Sequence, residues 1–376
     1  MKRRPFIKQL LQISGSTYLA SQLPLLYGFK SKTANKKIGI ALVGLGGYSR
    51  GQLGPALLET EYCYLAGIVT GTKEKEAIWS EKYNIKKENI YNYDNFDTIA
   101  NNDDIDIIYV VLPNSMHAEY SIRAAKAGKH VICEKPMATS VEDCEKMISA
   151  CKEAGKMLSI GYRLHFDPFH DQMMRLGQNR VYGDMNITTS FAFKMGNLNQ
   201  WRAKKELAGG GPLMDLGVYN IQGAIYTFGE LPTSVKAKNT TINKADWKEV
   251  EGSIEWEMTF PSGKAYCRSS YEEPYYCHLT AATEKGELKL SPAFIYNGLK
   301  GWTPDGPMTV NPVNQQAAQM DAFALNILQN TSSLVPGEMG LRDYFIIDKI
   351  YESMKNGGKE EVSLNGIPEI LDLRQI

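Results

Sequence analysis

The chain has no surplus of charge of either sign: 42 lysines and arginines stand against 42 aspartates and glutamates, for a formal net charge of zero. Nucleic-acid binding draws on counterion release from a basic surface, so that class of partner is excluded. The six cysteines (Cys63, Cys133, Cys144, Cys151, Cys267 and Cys277) include no Cys-x-x-Cys pair. That spacing argues against a zinc site or a thioredoxin-like redox pair, and no metal is expected. Cys144 and Cys151 fall on roughly one face of an expected helix and read as packing. A structural disulfide stays open, because an oxidising compartment would permit one. Past the N-terminus no run is long and apolar enough to span a bilayer, so the mature form is not expected in a membrane. No cysteine precedes Cys63, which excludes a lipoprotein anchor. No internal repeat or low-complexity tract is present.

Hydrophobic residues make up 43% of the chain, ordinary for a globular protein. At 376 residues it exceeds a typical single core, and two domains are expected. They are preceded by a targeting segment. Residues 1–8 are basic, residues 10–29 are only moderately apolar, and residues 30–37 are again polar and basic. A charged start before a short greasy stretch is a signal, not a membrane helix. Arg3-Arg4-Pro5-Phe6-Ile7-Lys8 resembles a twin-arginine export motif, with Lys2 where a serine or threonine usually stands. No Ala-x-Ala cleavage site is evident. Export to the periplasm is the expectation, with an ordinary secretory signal or a frayed cytoplasmic N-terminus as the alternatives.

Short apolar runs without alternation recur at residues 37–43, 64–69, 105–112, 130–133 and 157–160, as expected of strands covered on both faces. Helical stretches at 118–127 and 141–154 lie between them. The second is preceded by Thr139-Ser140 and followed by Gly155, a cap and a stop. This rhythm means a doubly wound parallel sheet. After about residue 161 the texture changes. Ile254, Trp256, Met258 and Phe260 alternate with Ser253, Glu255, Glu257 and Thr259, the pattern of a half-buried antiparallel strand. Further strands are expected at 184–193, 233–237, 265–270 and 286–290, and helices at 213–228, 315–329 and 341–355. The fold class is therefore α/β: an N-terminal Rossmann-type doubly wound sheet and a C-terminal α+β domain with an open, mostly antiparallel sheet. The expected boundaries are 1–36 for the signal and short linker, 37–160 for the nucleotide domain, and 161–376 for a substrate and oligomerisation domain.

Gly44-Leu45-Gly46-Gly47-Tyr48-Ser49 follows the first strand. Glycines there let the backbone turn tightly and approach a pyrophosphate at a helix N-terminus. A lone glycine pattern can also be a plain strand-to-helix turn; the βαβ setting favours dinucleotide binding. Ser49 stands at the third glycine position, so the helix is expected slightly further from the strand. The second strand ends Thr70-Gly71-Thr72-Lys73-Glu74-Lys75, without the carboxylate that usually grips a ribose 2′-hydroxyl. Thr70, Gly71 and Lys75 suit a 2′-phosphate, hence NADP in preference to NAD; the alternative is a solvated charged turn. Leu112-Pro113-Asn114-Ser115-Met116-His117 ends the fourth strand at the carboxyl edge, where Leu112, Pro113, Asn114 and His117 can lie along the dinucleotide. His117 reads as a cap or packing residue rather than a catalyst.

Glu134-Lys135-Pro136 closes the fifth strand on the same edge. An ammonium there can bind a substrate oxygen and lower the pKa of a neighbouring acid. Asp215 and Tyr219 are four apart on an expected helix and so share a face. A phenol becomes a usable base only beside a cation, for which Lys135 is the candidate. On spacing alone, Asp215 as a cap and Tyr219 as a core residue is equally open. Gly209-Gly210-Gly211-Pro212 before that helix is expected to allow close approach of a ligand.

These strings, with IGYRLHFDP, AGKHVICEKPMATSVEDC and QWR followed by ELAGGGPLMDLGVYN, carry a resemblance over roughly residues 37–357. The chain resembles the Gfo/Idh/MocA oxidoreductases, and within them the glucose–fructose branch. The resemblance implies NADP held across the Rossmann sheet by the glycine turn, by Glu134 and Lys135, and by Arg163, Trp201 and Arg202. It implies Lys135, Asp215 and Tyr219 as catalytic and substrate-binding residues, with Tyr162 also in the sugar pocket, and a homo-oligomer, dimer or tetramer, formed through the second sheet. His165, Phe166, His170, Asn197 and Asn199 are further candidates for shaping that pocket. The branch's long proline-rich arm is reduced here to about residues 31–36, which puts permanent trapping of the cofactor in doubt. The expected activity is oxidation of an aldose to a lactone and reduction of a second sugar on one bound cofactor. The alternatives are a simple sugar or polyol dehydrogenase, an NAD-dependent glycosidase, and, last, a non-catalytic nucleotide-binding module.

Overall fold

The computed structural model describes residues 37–364 and 366–374; the expected export signal lies outside them. Six parallel strands, β1 (Ile38–Val43), β2 (Cys63–Val69), β3 (Ile90–Tyr91), β4 (Ile107–Val110), β5 (His130–Cys133) and β6 (Leu158–Ile160), form one sheet in the order β3-β2-β1-β4-β5-β6. The order reverses between β1 and β4, where the chains leaving their carboxyl ends diverge and open a crevice. Ile38, Ile40 and Leu42 of β1 join one apolar cluster, while Ala41 and Val43 join another. Coverage of both faces explains the unbroken apolar runs.

Nine strands make the second sheet: β7 (Met185–Ala192), β8 (Ser234–Asn239), β9 (Ser253–Phe260), β10 (Gly263–Ser270), β11 (Tyr276–Thr283), β12 (Gly286–Leu290), β13 (Gly301–Thr303), β14 (Gly306–Pro307) and β15 (Lys359–Glu361). Every pairing is antiparallel except β7 with β10. The helices Pro168–Gln178, Val218–Phe228 and Gly337–Asn356 lie on the buried face. Alternation in β9 is as the sequence indicates, with Ile254, Trp256, Met258 and Phe260 buried. The strand β11, beside the central β7, escapes a sequence reading because His278, Thr280 and two alanines blur its period.

Local signals behave as their chemistry dictates. The Ser140 side chain accepts from Asp143 N at 3.0 Å, capping Val141–Glu153, and Gly155 adopts φ 63° just past its end. All six thiols are buried and no disulfide joins them. Among the described residues, no helix is long and apolar enough to cross a membrane.

One helix departs from the expected division. Gln315–Gln329 packs Ala317, Met320, Phe323 and Ala324 against Ile38, Ile40, Leu42 and Ile107 of the first sheet. Its Asp321 carboxylate accepts from Glu61 N and Tyr62 N at 2.9 and 2.7 Å. The sequence places this helix late, with the second domain; its apolar face belongs to the nucleotide half.

The helices Pro168–Gln178 and Val218–Phe228 approach closely at Gly177, where a Cβ would sit 2.4 Å from the Thr227 carbonyl oxygen. Gly177→Ala is therefore expected to force these helices apart and lower stability by about 1–3 kcal/mol, read as a lower urea midpoint at unchanged slope.

Candidate active site

The glycine turn leaves β1 with Gly44 at φ 92°, and a Cβ there would lie 2.4 Å from the Val111 carbonyl oxygen. Only glycine fits. At Gly46 and Gly47 an added Cβ would meet nothing within 4 Å, so the turn presents bare backbone to the crevice, with room for a pyrophosphate. Ser49 is buried, and its hydroxyl donates to Gly44 O at 2.6 Å. The serine therefore ties the turn together rather than acting only as a spacer, and the helix opens on a wide turn, Ser49–Leu53. Close helix packing falls instead on Gly54, whose added Cβ would be 2.4 Å from the Tyr83 hydroxyl.

At the end of β2, Thr70 is buried and its hydroxyl accepts from Thr72 N at 3.3 Å, while Gly71, Thr72 and Lys73 are exposed and Lys75 is half-buried. On the β4 rim, two of the four expected cofactor residues serve the rim itself. Asn114 donates to Ala208 O at 2.8 Å, tying the rim to the second half. His117 is buried with its ring nitrogens 2.9 Å from Pro136 O and 2.9 Å from Leu112 O. It joins the β4 and β5 turns, and burial lowers its pKa.

Glu134 is buried beneath the crevice, accepting from the Tyr109 hydroxyl at 2.7 Å and lying against Gly161, where any side chain would collide with the carboxylate. Burial raises its pKa, against the pull of Tyr109 and Lys135. Lys135 turns across to the second half, donating to Asp215 O at 2.8 Å and Asp215 Oδ1 at 3.0 Å. Asp215 sits in a wide helical turn, Leu213–Gly217, ahead of the helix Val218–Phe228. Such turns leave carbonyls outside the regular ladder and recur at functional sites, and here one carbonyl meets the ammonium. Arg202 Nε and the Tyr271 hydroxyl each donate to Asp215 Oδ2 at 3.0 Å. Burial opposes both charges. Asp215, with Tyr219 and Glu134, nonetheless holds Lys135 above its ordinary value, and Lys135 with Arg202 holds Asp215 far below the usual carboxylate range. Asp215 thus orients the Lys135 ammonium through both its carbonyl and its carboxylate.

Tyr219 lies on the same face, half-buried between cations and aromatic rings. The Lys135 ammonium is 4.9 Å and the Arg163 guanidinium 5.3 Å from its ring centroid; Phe294 stacks at 5.7 Å and Phe191 meets it edge-on at 5.6 Å. The cation beside the phenol is therefore double: sequence reasoning offers Lys135, and the structure adds Arg163. Arg163 is only 2% exposed. It donates to Phe294 O at 2.7 Å, Ile295 O at 3.1 Å and Gln315 Oε1, and it packs on Tyr296 at 4.6 Å. It is anchored in protein rather than free to grip a cofactor. Trp201 and Arg202 do stand at the rim, with the guanidinium 4.4 Å over the indole.

Other expected residues are placed as follows. Tyr162, expected in the sugar pocket, is buried with its hydroxyl bonded to Asp343; it lines a small cavity of about 10 Å³ together with Lys135, His165, Tyr219 and Gln222, roughly one water's space. The triple glycine admits protein rather than ligand: a Cβ at Gly210 would be 1.9 Å from the Tyr351 hydroxyl, and one at Gly211 would be 2.2 Å from Glu251 O. The Glu251 carboxylate accepts from Gly211 N and Leu213 N, each at 3.1 Å, and so braces the turn that carries Asp215. His165 and His170 are fully engaged side chains behind the site, and Asn197 accepts from Asn199 N in an exposed loop. Tyr271, Tyr296, Phe191, Phe294 and Glu251 belong to no motif, and only their aromatic or acidic character in the second half hints at them.

Residues 38–162 match the oxidoreductase family with an NAD-binding Rossmann fold known as Gfo/Idh/MocA, and residues 172–289 match a Gfo/Idh/MocA C-terminal domain. Among solved structures, the aldose–aldose oxidoreductase of Caulobacter crescentus complexed with glycerol is 38% identical, with a TM-score of 0.84, covering 87% of this chain and all of that one. A D-xylose 1-dehydrogenase [NADP(+)] of Haloarcula marismortui is 26% identical over 84% of this chain and 91% of its own length. The D-glucoside 3-dehydrogenase of Escherichia coli K12 is 25% identical over 68% of this chain and 79% of its own.

Two substitutions test this arrangement. Gly46→Val fills the open side of the turn, so titration with NADPH should show lost affinity while unfolding free energy changes by no more than about 0.5 kcal/mol. Asp215→Asn removes the counter-charge of Lys135, leaving burial to lower its pKa; amine labelling at pH 8, read by mass spectrometry, should then rise at Lys135. The depressed Asp215 pKa adds stability that is complete above about pH 4 and lost as pH falls through the folded value, so the variant should also flatten the acid limb of a stability profile.

Proposed function

The chain belongs to the Gfo/Idh/MocA oxidoreductase family, and on that premise we propose that it is an NADP-dependent sugar oxidoreductase of the glucose–fructose type, oxidising one aldose to a lactone and reducing a second sugar. The observation that carries this reading is Tyr219 flanked by the Lys135 ammonium and the Arg163 guanidinium at the carboxyl edge of the parallel sheet. Two cations beside the ring would stabilise negative charge on the phenol oxygen, the condition for it to accept a proton from a substrate hydroxyl.

Gly44, Leu45, Gly46, Gly47 and Tyr48 would hold the pyrophosphate; the open side of Gly46 and Gly47 fits that group. Thr70, Gly71 and Lys75, with no carboxylate at the end of β2, favour a 2′-phosphate. Leu112, Pro113 and the Trp201–Arg202 pair would line the nicotinamide half. Bound NADP supplies a hydride acceptor and, once reduced, a hydride donor. The protein does the rest. Lys135 binds the anomeric hydroxyl, and Tyr219 takes its proton as the C–H hydride departs, which yields the lactone. In the return half-reaction Tyr219 gives the proton to the carbonyl oxygen of the second sugar. Asp215 stays ionised and keeps Lys135 aimed.

The named activities of the relatives, aldose–aldose oxidoreductase and xylose and glucoside dehydrogenases, support a sugar as substrate. The twin-arginine-like start supports a periplasmic site of action. A folded protein exported with its nucleotide would then have to regenerate it in place. Exposed Tyr266 on the outer face of β10 supports assembly of a dimer or tetramer through the second sheet. The short segment at 31–36 favours a second reading, an NADP-dependent dehydrogenase that releases its cofactor.

Denaturing the purified protein should release NADP, identified by mass spectrometry. Incubation with glucose and fructose and no added nucleotide should yield lactone and sorbitol in equal amounts; turnover only with added NADP⁺ would select the dehydrogenase. Lys135→Ala and Tyr219→Phe should each cut turnover by on the order of 10²-fold or more and leave nucleotide bound, whereas preserved turnover would refute their roles.

A further inference from the structure

Two buried histidines behind the site differ in what faces them. His170 has one donor and one acceptor as neighbours: Nε2 lies 2.8 Å from Ala293 O, and Nδ1 meets the Tyr226 hydroxyl. A neutral ring satisfies both, with the phenol donating to Nδ1. Burial lowers the pKa of His170 to about 4, in keeping with that state.

His165 has two acceptors. Nδ1 is 2.7 Å from Asp372 Oδ2 and Nε2 is 2.7 Å from Gln222 Oε1. The Gln222 amide cannot be turned round, because its Nε2 donates to the Asp343 carboxylate, which also takes Arg342 Nε at 2.8 Å. Reversing the amide would set two acceptor oxygens face to face. Both nitrogens of His165 must therefore carry hydrogen, and a ring with two N–H groups is an imidazolium. His165, Gln222 and Asp343 are at most 5% exposed, and both ring contacts are made to protein atoms.

The chain of contacts runs from the C-terminal segment to the helix Val218–Phe228. Arg374 Nε donates to Asp372 Oδ1 at 2.6 Å and Nη2 to His165 O at 3.0 Å; Gln178 Nε2 fixes Asp372 O at 2.8 Å; Arg342 Nη1 donates to Ile370 O. Gln222 lies one turn beyond Tyr219 on that helix, and both line the small cavity shared with Lys135 and His165. We propose that His165 is a positioning residue, held as an imidazolium between Asp372 and Gln222, through which the C-terminal segment fixes the orientation of the helix carrying Tyr219. The kinetic part rests on the proposed role of Tyr219; the protonation state does not.

Charged and titratable groups face His165 from every packed element. They are Asp372 and Arg374 from the C-terminal segment, Tyr219 and Tyr226 from the helix of Gln222, Lys135 across the small cavity, Arg342 and Asp343 from the helix Gly337–Asn356, and Tyr162, Asp167 and His170 from its own neighbourhood. Asp372 is the one carboxylate in contact with the ring. Asp372→Asn removes the charge beside the ring and turns one of the two accepting oxygens, which serve His165 and Arg374, into an amide donor.

The test uses the full-length protein labelled with ¹⁵N-histidine. Wild type at pH 7 should show one side chain with both nitrogens protonated, its signals absent in His165→Asn and moved in Asp372→Asn. In the sugar assay Asp372→Asn should lower kcat on the order of tenfold, with KM and bound nucleotide unchanged. A His165 with a single protonated nitrogen overturns the proposal, as does an Asp372→Asn enzyme with wild-type kcat across the pH range. If Tyr219→Phe retains turnover, the reading of the site fails instead, and the NMR result still decides the state of His165.

Discussion

The contact between Lys135 and Asp215 is the one on which the site depends. One partner ends the fifth strand of the parallel sheet and the other opens a helix of the second half, some 80 residues later. Both are largely shielded from water, so either left alone would be a buried, uncompensated charge. Each is fixed by further partners: Asp215 by Arg202 and Tyr271, and Lys135 also by the Asp215 carbonyl that the wide turn releases. The two halves therefore meet through a charge pair that has a defined geometry. Tyr219 inherits its place from that pair, one helical turn away and under the ammonium.

Around this pair the structure sorts charge by depth. Lys135, Arg163 and Arg202 stand against Asp215 and Glu134, a small positive excess at the rim suited to phosphate and to oxygen atoms gaining negative charge. Glu134 lies beneath, bonded to Tyr109 and pressed on Gly161, where its charge supports Lys135 without competing for a ligand. Arg163 is sunk among Phe294, Ile295, Gln315 and Tyr296 and acts on Tyr219 from a fixed position. A fixed cation needs no reorganisation when charge develops beside it.

What the sequence made legible follows from how local each signal is. The strands of the first sheet are unbroken apolar runs bounded by glycine and proline, and Gly44, Lys135, Asp215 and Tyr219 sit at turn or helix positions that short strings identify. The partners of Asp215 and Arg163 are another matter. Tyr271, Tyr296 and Gln315 reach the site from distant strands and helices, and nothing in their neighbours in sequence points there. The triple glycine misled for a related reason: glycine announces a close approach but not what approaches, and here Tyr351 and Glu251 fill the space. Tyr162, expected in the sugar pocket, and Arg163, expected on the cofactor, are likewise sunk in protein. Burial is a property of the assembled chain, and polar side chains carry no sequence mark of it.

The helix Gln315–Gln329 has a consequence for the life history of the chain. It closes one face of the parallel sheet with residues synthesised long after β6. A nascent chain that has delivered only the nucleotide half carries Ile38, Ile40, Leu42 and Ile107 without the part of their cover that this helix supplies, an apolar surface open to misassociation. The nucleotide half is therefore no freestanding module that could be excised or grafted elsewhere. Its maturation waits for the ribosome to release the far end of the molecule.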